Sequence, residues 1–189
     1  MTDPLVVLRA GDHVRMPWAN GGGTTYQVLT SPPGAGIGDA EWRISLADID
    51  HDGPFSSLPG IDRILVVVEG AGMELVVGGR RVSARPLEPL EFPGEAVVSA
   101  SLVSGPTRDL NVMTRRATCT ASLRIVPVTG STVVRDTPGA TVLAVVLAGA
   151  CDAGRVGTAV LEPRDVVLVE RSLALVGTAT LAVVTILPR

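Results

Sequence analysis

Arginine and amide side chains give this chain its clearest candidates for recognising a small molecule. Arg43 and Ser45 lie in residues 42–47, where apolar and polar residues alternate. That period is typical of a half-buried β-strand, and it predicts that both side chains share one face. If that face lines an interior, the guanidinium needs an anionic partner, because a buried unpaired charge is costly. The partner is either Asp62 or Asp109, or a ligand carboxylate held by paired hydrogen bonds.

Three further polar residues could complete such a site. Arg63 is a second candidate clamp, with the same alternatives for its partner. Asn20 offers a donor and an acceptor, which suits a formyl, amide or imidazole group, although it could equally form a turn before the glycines that follow. Asn111 would share a strand face with Asp109 and Met113. There it either orients a ligand or makes a hydrogen bond at the edge of the sheet.

Most aromatic residues lie in the same part of the chain, residues 16–63, which contain Trp18, Tyr26, Trp42 and Phe55. Large aromatic side chains either fill a core or form the walls of a binding site. We expect Trp18 and Phe55 to wall a pocket whose polar groups are the arginines and asparagines.

The chain offers few groups for catalysis or metal binding. Its two histidines, His13 and His51, form no HxH pair, and they would meet at a metal only if their loops converged. There is no GxSxG nucleophile elbow, and all sixteen basic residues are Arg, which excludes lysine chemistry. Acid–base work by paired carboxylates is an alternative to turn formation for the aspartates of one loop region, namely Asp48, Asp50, Asp52 and Asp62. We therefore predict no metal and no cofactor, and favour a binding protein over an enzyme.

Composition restricts the class of protein. The chain has 189 residues, 46% of them apolar, and a net charge of -3 without a large basic cluster, so a nucleic-acid partner is not expected. Cys119 and Cys151 are too few for a disulfide framework and are predicted to be buried free thiols. Residues 1–12 lack the pattern of a signal peptide, and the longest apolar run, residues 142–150, is too short for a membrane span. We expect a cytoplasmic protein without a membrane partner.

The elements that would position these groups are short β-strands. Apolar runs separated by Gly and Pro turn signals recur along the whole chain, and no segment has a clean helical period. This pattern predicts an all-β sandwich or barrel. Short motifs of residues 66–113 return in the same order in residues 145–184. They predict two similar barrels, an N-terminal one in residues 1–116 with the ligand site and a smaller, degenerate one in residues 117–189, with strands that could be exchanged between the halves.

Five blocks, in this order, resemble the signature blocks of the HutD/Ves family: residues 18–25 (WANGGGTT), 42–47 (WRISLA), 52–56 (DGPFS), 59–63 (PGIDR) and 109–113 (DLNVM). Gln27 and Leu110 depart from the residues that the family usually has there, Glu and Phe. The resemblance implies a bicupin, meaning two jelly-roll barrels of the RmlC-like cupin type in one chain, and a cytoplasmic location. For the HutD branch it implies an association with histidine utilisation, in which the protein governs the pathway by binding a small pathway acid.

Together these observations predict a metal-free bicupin that binds a small organic acid, such as formylglutamate or urocanate, in a regulatory role. Arg43 and Arg63 would hold the carboxylate, while Asn20, Ser45 and Asn111 would fix its orientation. The alternatives are a cupin isomerase or hydrolase that uses His51 or the local aspartates, and a partner-binding module with a plugged pocket. Exposed strand edges could pair across a homodimer.

Overall fold

The structure, a computed structural model, describes residues 5–19, 21–154 and 159–189. Apart from one short 3-10 turn at Ala10–Asp12, its regular elements are β-strands. They are β1 (Val7–Leu8), β2 (Val14–Pro17), β3 (Gly23–Ser31), β4 (Trp42–Ile49), β5 (Gly53–Pro54), β6 (Ile61–Glu69), β7 (Met73–Val77), β8 (Arg80–Ala84), β9 (Leu90–Pro93), β10 (Val98–Leu102), β11 (Thr107–Arg115), β12 (Cys119–Arg135), β13 (Thr141–Ala153), β14 (Ala159–Leu161), β15 (Val166–Leu168) and β16 (Ser172–Pro188). The prediction of an all-β chain is confirmed.

The backbone divides into two compact units, which we call the N-terminal unit (Val14–Thr120 with Arg189) and the C-terminal unit (Met1–His13 with Ala121–Pro188). The first strand thus belongs to the C-terminal unit, where β1 pairs with β15. The division at residue 116 made from the sequence stays a prediction, as does the closure of each half into a barrel. Among the described residues, each sheet has a strand order with two ends.

Two sheets form the N-terminal unit. One has the order β2-β3-β4-β11-β6-β9 and the other the order β5-β10-β7-β8. Apolar residues of both sheets, among them Leu65 and Val67 of β6 and Met73 and Leu75 of β7, form one buried cluster. Burial of such side chains contributes about 1.5–3 kcal/mol each, so this cluster fixes the two sheets around one interior.

The C-terminal unit is one sheet of order β1-β15-β13-β16-β12, with β14 on β13. Its core is a separate cluster of Val, Leu and Ala side chains that includes Val146, Leu175 and Leu181. Its last strand, β16, runs without a break from Ser172 to Pro188 although it contains a glycine. Gly177 does not end the strand, because it lies opposite Cys151 of β13, where an added Cβ would come within 2.8 Å of the Ala150 carbonyl oxygen. A glycine inside a strand here marks close approach of two backbones.

The predicted buried free thiols are confirmed: Cys119 and Cys151 are both buried and unpaired with each other. Burial raises the pKa of each thiol. In the described part of the chain, no helix is long and apolar enough to cross a membrane.

Candidate functional site

The N-terminal unit contains a cavity of about 470 Å³. This volume lies in the range of small-molecule sites, which are about 300–1,000 Å³. Its lining residues are Met16, Pro17, Trp18, Ala19, Thr25, Ile37, Arg43, Ser45, Ala47, Pro54, Phe55, Ser56, Leu58, Arg63, Asp109, Asn111 and Met113.

Three neighbouring strands supply the polar wall of this cavity. β11 lies between β4 and β6, so that Met113 of β11 faces Arg43 on one side and Arg63 on the other. One step along the ladder, Asn111 faces Ser45. Residues directly opposite each other in a sheet project to the same face, and so do residues two apart along a strand. The alternation therefore directs both arginines, the serine and the asparagine into one interior.

Arg43 and Arg63 are buried without a close anion. They are 7% and 6% exposed, and the Nε atom of each has no hydrogen-bond partner. Among the described residues, Arg43 Nη2 donates a long hydrogen bond, 3.6 Å, to the Met16 sulfur. Among the described residues, the ion pairs within 4.0 Å include neither guanidinium. Burial lowers the pKa of both groups; for Arg63 the Asp109 charge opposes this effect, and the Arg43 charge adds to it. The cavity thus holds two positive charges that the chain compensates poorly.

A chain of hydrogen bonds connects Arg63 to Asp109. Arg63 Nη2 donates to Asn111 Oδ1 at 2.7 Å, and Asn111 Nδ2 donates to Asp109 Oδ1 at 2.5 Å. Asp109 is 1% exposed. Burial raises its pKa to about 7, although the Arg63 charge and the Asn111 hydrogen bond lower it. Asn111 therefore has a fixed orientation, with its oxygen towards the guanidinium and its nitrogen towards the carboxyl group.

Aromatic side chains support the polar wall. The Arg63 guanidinium carbon lies 5.2 Å from the centre of the Phe55 ring and 5.0 Å from that of Phe92. Both distances suit cation–π attraction. Trp18 Nε1 donates to Thr25 Oγ1 at 2.8 Å. Trp18 and Phe55 line the cavity and also pack against the apolar cluster of the N-terminal unit.

The structure brings six of the seven predicted site residues to this cavity. They are Trp18, Arg43, Ser45, Phe55, Arg63 and Asn111. The seventh, Asn20, lies outside the described residues. That these side chains hold a ligand stays a prediction. The sequence interpretation named Asp109 as a possible partner of the arginines, on a face shared with Asn111 and Met113, but not as a site residue; the structure places it in the cavity lining.

One proposed partner for the arginines is wrong. The Asp62 carboxylate accepts a hydrogen bond of 2.8 Å from Arg116 Nε, and Asp62 does not line the cavity. Arg116 also forms an ion pair with Glu95, so its guanidinium binds two carboxylates. This ion pair holds the pKa of Glu95 low, at about 2, chiefly through the Arg116 hydrogen bond.

The residues considered for catalysis lie elsewhere. His51 and Asp50 are exposed, and Asp52 accepts a hydrogen bond from the Leu102 backbone. Asp48 forms an ion pair with Arg108. His13 belongs to the C-terminal unit. Within residues 5–19, 21–154 and 159–189, no three His, Cys, Asp or Glu side chains gather as a metal-binding group.

Comparison with known proteins gives matches along nearly the whole chain. The family model described as HutD matches residues 10–184. An uncharacterized 21.2 kDa protein in the hutC 3' region of Pseudomonas putida is 45% identical over 112 residues, which are 58% of this chain and 57% of that protein. Protein Ves of Citrobacter koseri is 38% identical over 112 residues, 57% of this chain and 56% of that protein. The chain thus spans little more than half the length of these two relatives.

Solved structures also match this chain, and they bear on its fold. HutD from Pseudomonas fluorescens SBW25, solved in a formate condition, matches with a TM-score of 0.82 and 33% identity, over 98% of this chain and 100% of that one. A Cupin 2 conserved barrel domain protein from Leptotrichia buccalis matches with a TM-score of 0.59 and 13% identity, over 87% of this chain and 88% of that one. The second likeness shows the fold alone, which is all-β and cupin-like.

Proposed function

The chain belongs to the HutD family, and from this premise we propose that it binds a small organic acid, without a metal, in the cavity of the N-terminal unit. The observation that carries the proposal is the pair of buried arginines, Arg43 and Arg63, whose Nε atoms lack hydrogen-bond partners. A carboxylate is the group that matches a guanidinium, because its two oxygens accept two parallel hydrogen bonds. A bound anion would compensate the positive charges of these two side chains, which line the cavity.

The remaining lining favours an organic acid over an inorganic anion. Ile37, Phe55 and Leu58 give the cavity an apolar side. Ser45 and Asn111 add hydrogen-bonding groups next to the arginines. A carbon skeleton would contact the apolar side, while a carboxylate would face Arg43 and Arg63. A small inorganic ion would leave most of the apolar wall without a contact.

Two relatives support the choice of acid. One is encoded in the hutC 3' region of Pseudomonas putida, and a HutD structure was solved in a formate condition. We propose that the ligand is an intermediate of histidine breakdown, formylglutamate or urocanate. We further propose that binding serves regulation of that pathway, in a molecule built as two cupin barrels.

The direct experiment is isothermal titration calorimetry with N-formylglutamate, urocanate, glutamate and formate at concentrations up to the millimolar range. We expect at least one acid to bind the wild-type chain. Arg43→Gln and Arg63→Gln should each weaken that acid about 10-fold or more, because a hydrogen bond to a charged group contributes about 1.5–3 kcal/mol.

Arg81→Gln is the matched control, because Arg81 is exposed and does not line the cavity. It should leave the affinity unchanged. Failure of all four acids to bind the wild-type chain would contradict the proposal, and so would unchanged affinity in both cavity variants.

A further inference from the structure

We infer that Asp109 is the proton-accepting residue of the cavity, and that its carboxylate takes up a proton when Arg43 and Arg63 hold an organic anion. The inference rests on the proposed function. It adds that the site accepts an acid as an anion together with a proton, and it names the atom group that receives that proton.

The first observation is the position of Asp109 in the cavity wall. Its backbone lies in the middle strand of the polar wall, opposite Ala47 of β4 and Val67 of β6. The residue is 1% exposed and yet lines the cavity, so a bound ligand replaces what little water it contacts. Within the described chain, none of the ion pairs within 4.0 Å involves Asp109.

The second observation concerns the charged groups that surround Asp109. The Arg63 guanidinium of β6 is linked to Asp109 through the Asn111 amide, which accepts a hydrogen bond from Arg63 and donates one to Asp109. From β4 come the second cavity cation, Arg43, and the carboxylate of Asp48, which Arg108 of β11 already binds. The other described residues that line the cavity have uncharged side chains, such as Thr25 and Ser56.

These charges make anion binding and proton binding favour each other. The free cavity holds two guanidinium charges and one carboxylate, and Asp109 partly compensates Arg63. A bound anion brings a second negative charge into the same poorly solvated space, where like charges repel strongly. Protonation of Asp109 removes that repulsion and leaves both guanidinium groups to the ligand. By linkage, an anion that favours the proton is itself bound more tightly when the proton is present.

Burial already raises the pKa of Asp109 to about 7. A neighbouring anion raises the pKa of a carboxyl group further. Proton uptake should therefore be largest at pH values slightly above 7. The affinity should be nearly constant below the pKa of the free protein and should fall about tenfold per pH unit above it, until the pKa of the complex is reached.

The experiment is calorimetry of N-formylglutamate at pH 7.5 in two buffers of different ionisation enthalpy, PIPES and imidazole. Both carboxyl groups of this probe ionise near pH 4, so it neither takes up nor releases protons here. The wild-type chain should take up between about a half and three quarters of a proton per molecule bound, because Asp109 with a pKa of about 7 is about three quarters ionised at pH 7.5. Asp109→Asn should bind without proton uptake and with an affinity that does not change between pH 6 and 8.

Asp62→Asn is the matched control, because Asp62 is a carboxylate of the same unit that pairs with Arg116 and does not line the cavity. It should keep the proton uptake of the wild-type chain. Carbon-13 NMR of the Asp carboxyl groups in the wild-type chain gives a readout that does not depend on any variant folding. The Asp109 signal should titrate near neutral pH, and saturating N-formylglutamate should raise its midpoint.

The outcomes separate the two proposals. Binding without proton uptake, uptake that survives in Asp109→Asn, or an Asp109 midpoint that the probe leaves in place would overturn the inference and leave the proposed function intact. Absence of binding heat from all four acids would overturn the proposed function and this inference with it.

Discussion

At the scale of single residues, Arg43 shows a conflict between stability and binding. Its guanidinium is 7% exposed, and its Nη2 atom donates a long hydrogen bond to the Met16 sulfur. A buried charge without a partner destabilises the folded state, whereas an apolar side chain of similar length can fill the same space. The residue is therefore better explained by what it binds than by what it contributes to folding.

We predict that Arg43→Met stabilises the free protein by on the order of 1 kcal/mol and abolishes the binding of N-formylglutamate. Urea denaturation would measure the first effect and calorimetry the second. Arg81→Met, at an exposed position, should change neither. A clear loss of stability in Arg43→Met would contradict this explanation of the residue.

Asp109 gives a prediction about pH and stability. Its pKa is about 7 in the folded protein against an ordinary value of 3.8, because burial disfavours the charged form. A group whose folded pKa is raised contributes stability that is fully present below the unfolded pKa and is lost as the pH rises to the folded pKa. The wild-type chain should therefore lose stability relative to Asp109→Asn between about pH 4 and pH 7, by on the order of 3 kcal/mol.

The measurement is the free energy of unfolding of both chains at several pH values from 4 to 8, without added organic acid. Above pH 7 the difference between them should stay constant. A difference that does not change with pH would show that Asp109 is ionised as easily as an exposed aspartate.

At the scale of elements, the strand period explains how much of the site could be predicted. The alternation of residues 42–47 placed Arg43 and Ser45 on one face, and the same period related Asn111 to Asp109 and Met113. It could not show that β11 lies between β4 and β6. The neighbours of a strand depend on pairing between distant segments, and a local pattern carries no information about it. For that reason the sequence left Asp62 as a candidate partner of the arginines, whereas the folded chain pairs it with Arg116.

The edge of the site depends on one glycine. Gly23 begins β3 and faces Ile49 of β4. An added Cβ would come within 2.2 Å of the Asp48 carbonyl oxygen and 3.3 Å of the Trp18 ring. Since a backbone oxygen cannot move aside easily, the strand itself would have to shift. Trp18, whose backbone N–H donates to the Gly23 carbonyl, would shift with it.

We predict that Gly23→Ala destabilises the chain by about 1–3 kcal/mol, the usual range for overpacking, and weakens acid binding through displacement of Trp18. Thermal unfolding and calorimetry would measure the two effects. Gly36→Ala is the matched control, because nothing lies within 4 Å of a Cβ built there. Equal stability of the two variants would refute the importance of this close approach.

At the scale of the whole molecule, each unit has its own buried cluster. The sequence predicted the all-β class, because apolar runs and turn residues are local signals. Its ordered blocks predicted the family, which the match over residues 10–184 confirms. Closure into two barrels, a cytoplasmic location and pairing across a homodimer stay predictions, since none of them follows from a local pattern of residues.

A ligand that binds only the folded state should stabilise the entire chain. At a concentration of 100 times its dissociation constant, N-formylglutamate should add about 2.7 kcal/mol to the free energy of unfolding. For a chain of this size that corresponds to a rise of about 5–10 °C in the unfolding midpoint. Differential scanning calorimetry would detect it. The Arg43→Met chain should show no such rise at the same concentration, and a rise in that variant would place the bound acid outside the cavity.

The two rings next to Arg63 have a consequence for the rate of ligand capture. Phe55 and Phe92 lie 5.2 and 5.0 Å from its guanidinium carbon, and Asn111 accepts from one of its nitrogens. An arginine confined in this way has already lost much of its rotamer entropy during folding. An arriving acid therefore meets a preorganised donor, and its binding does not require Arg63 to change rotamer.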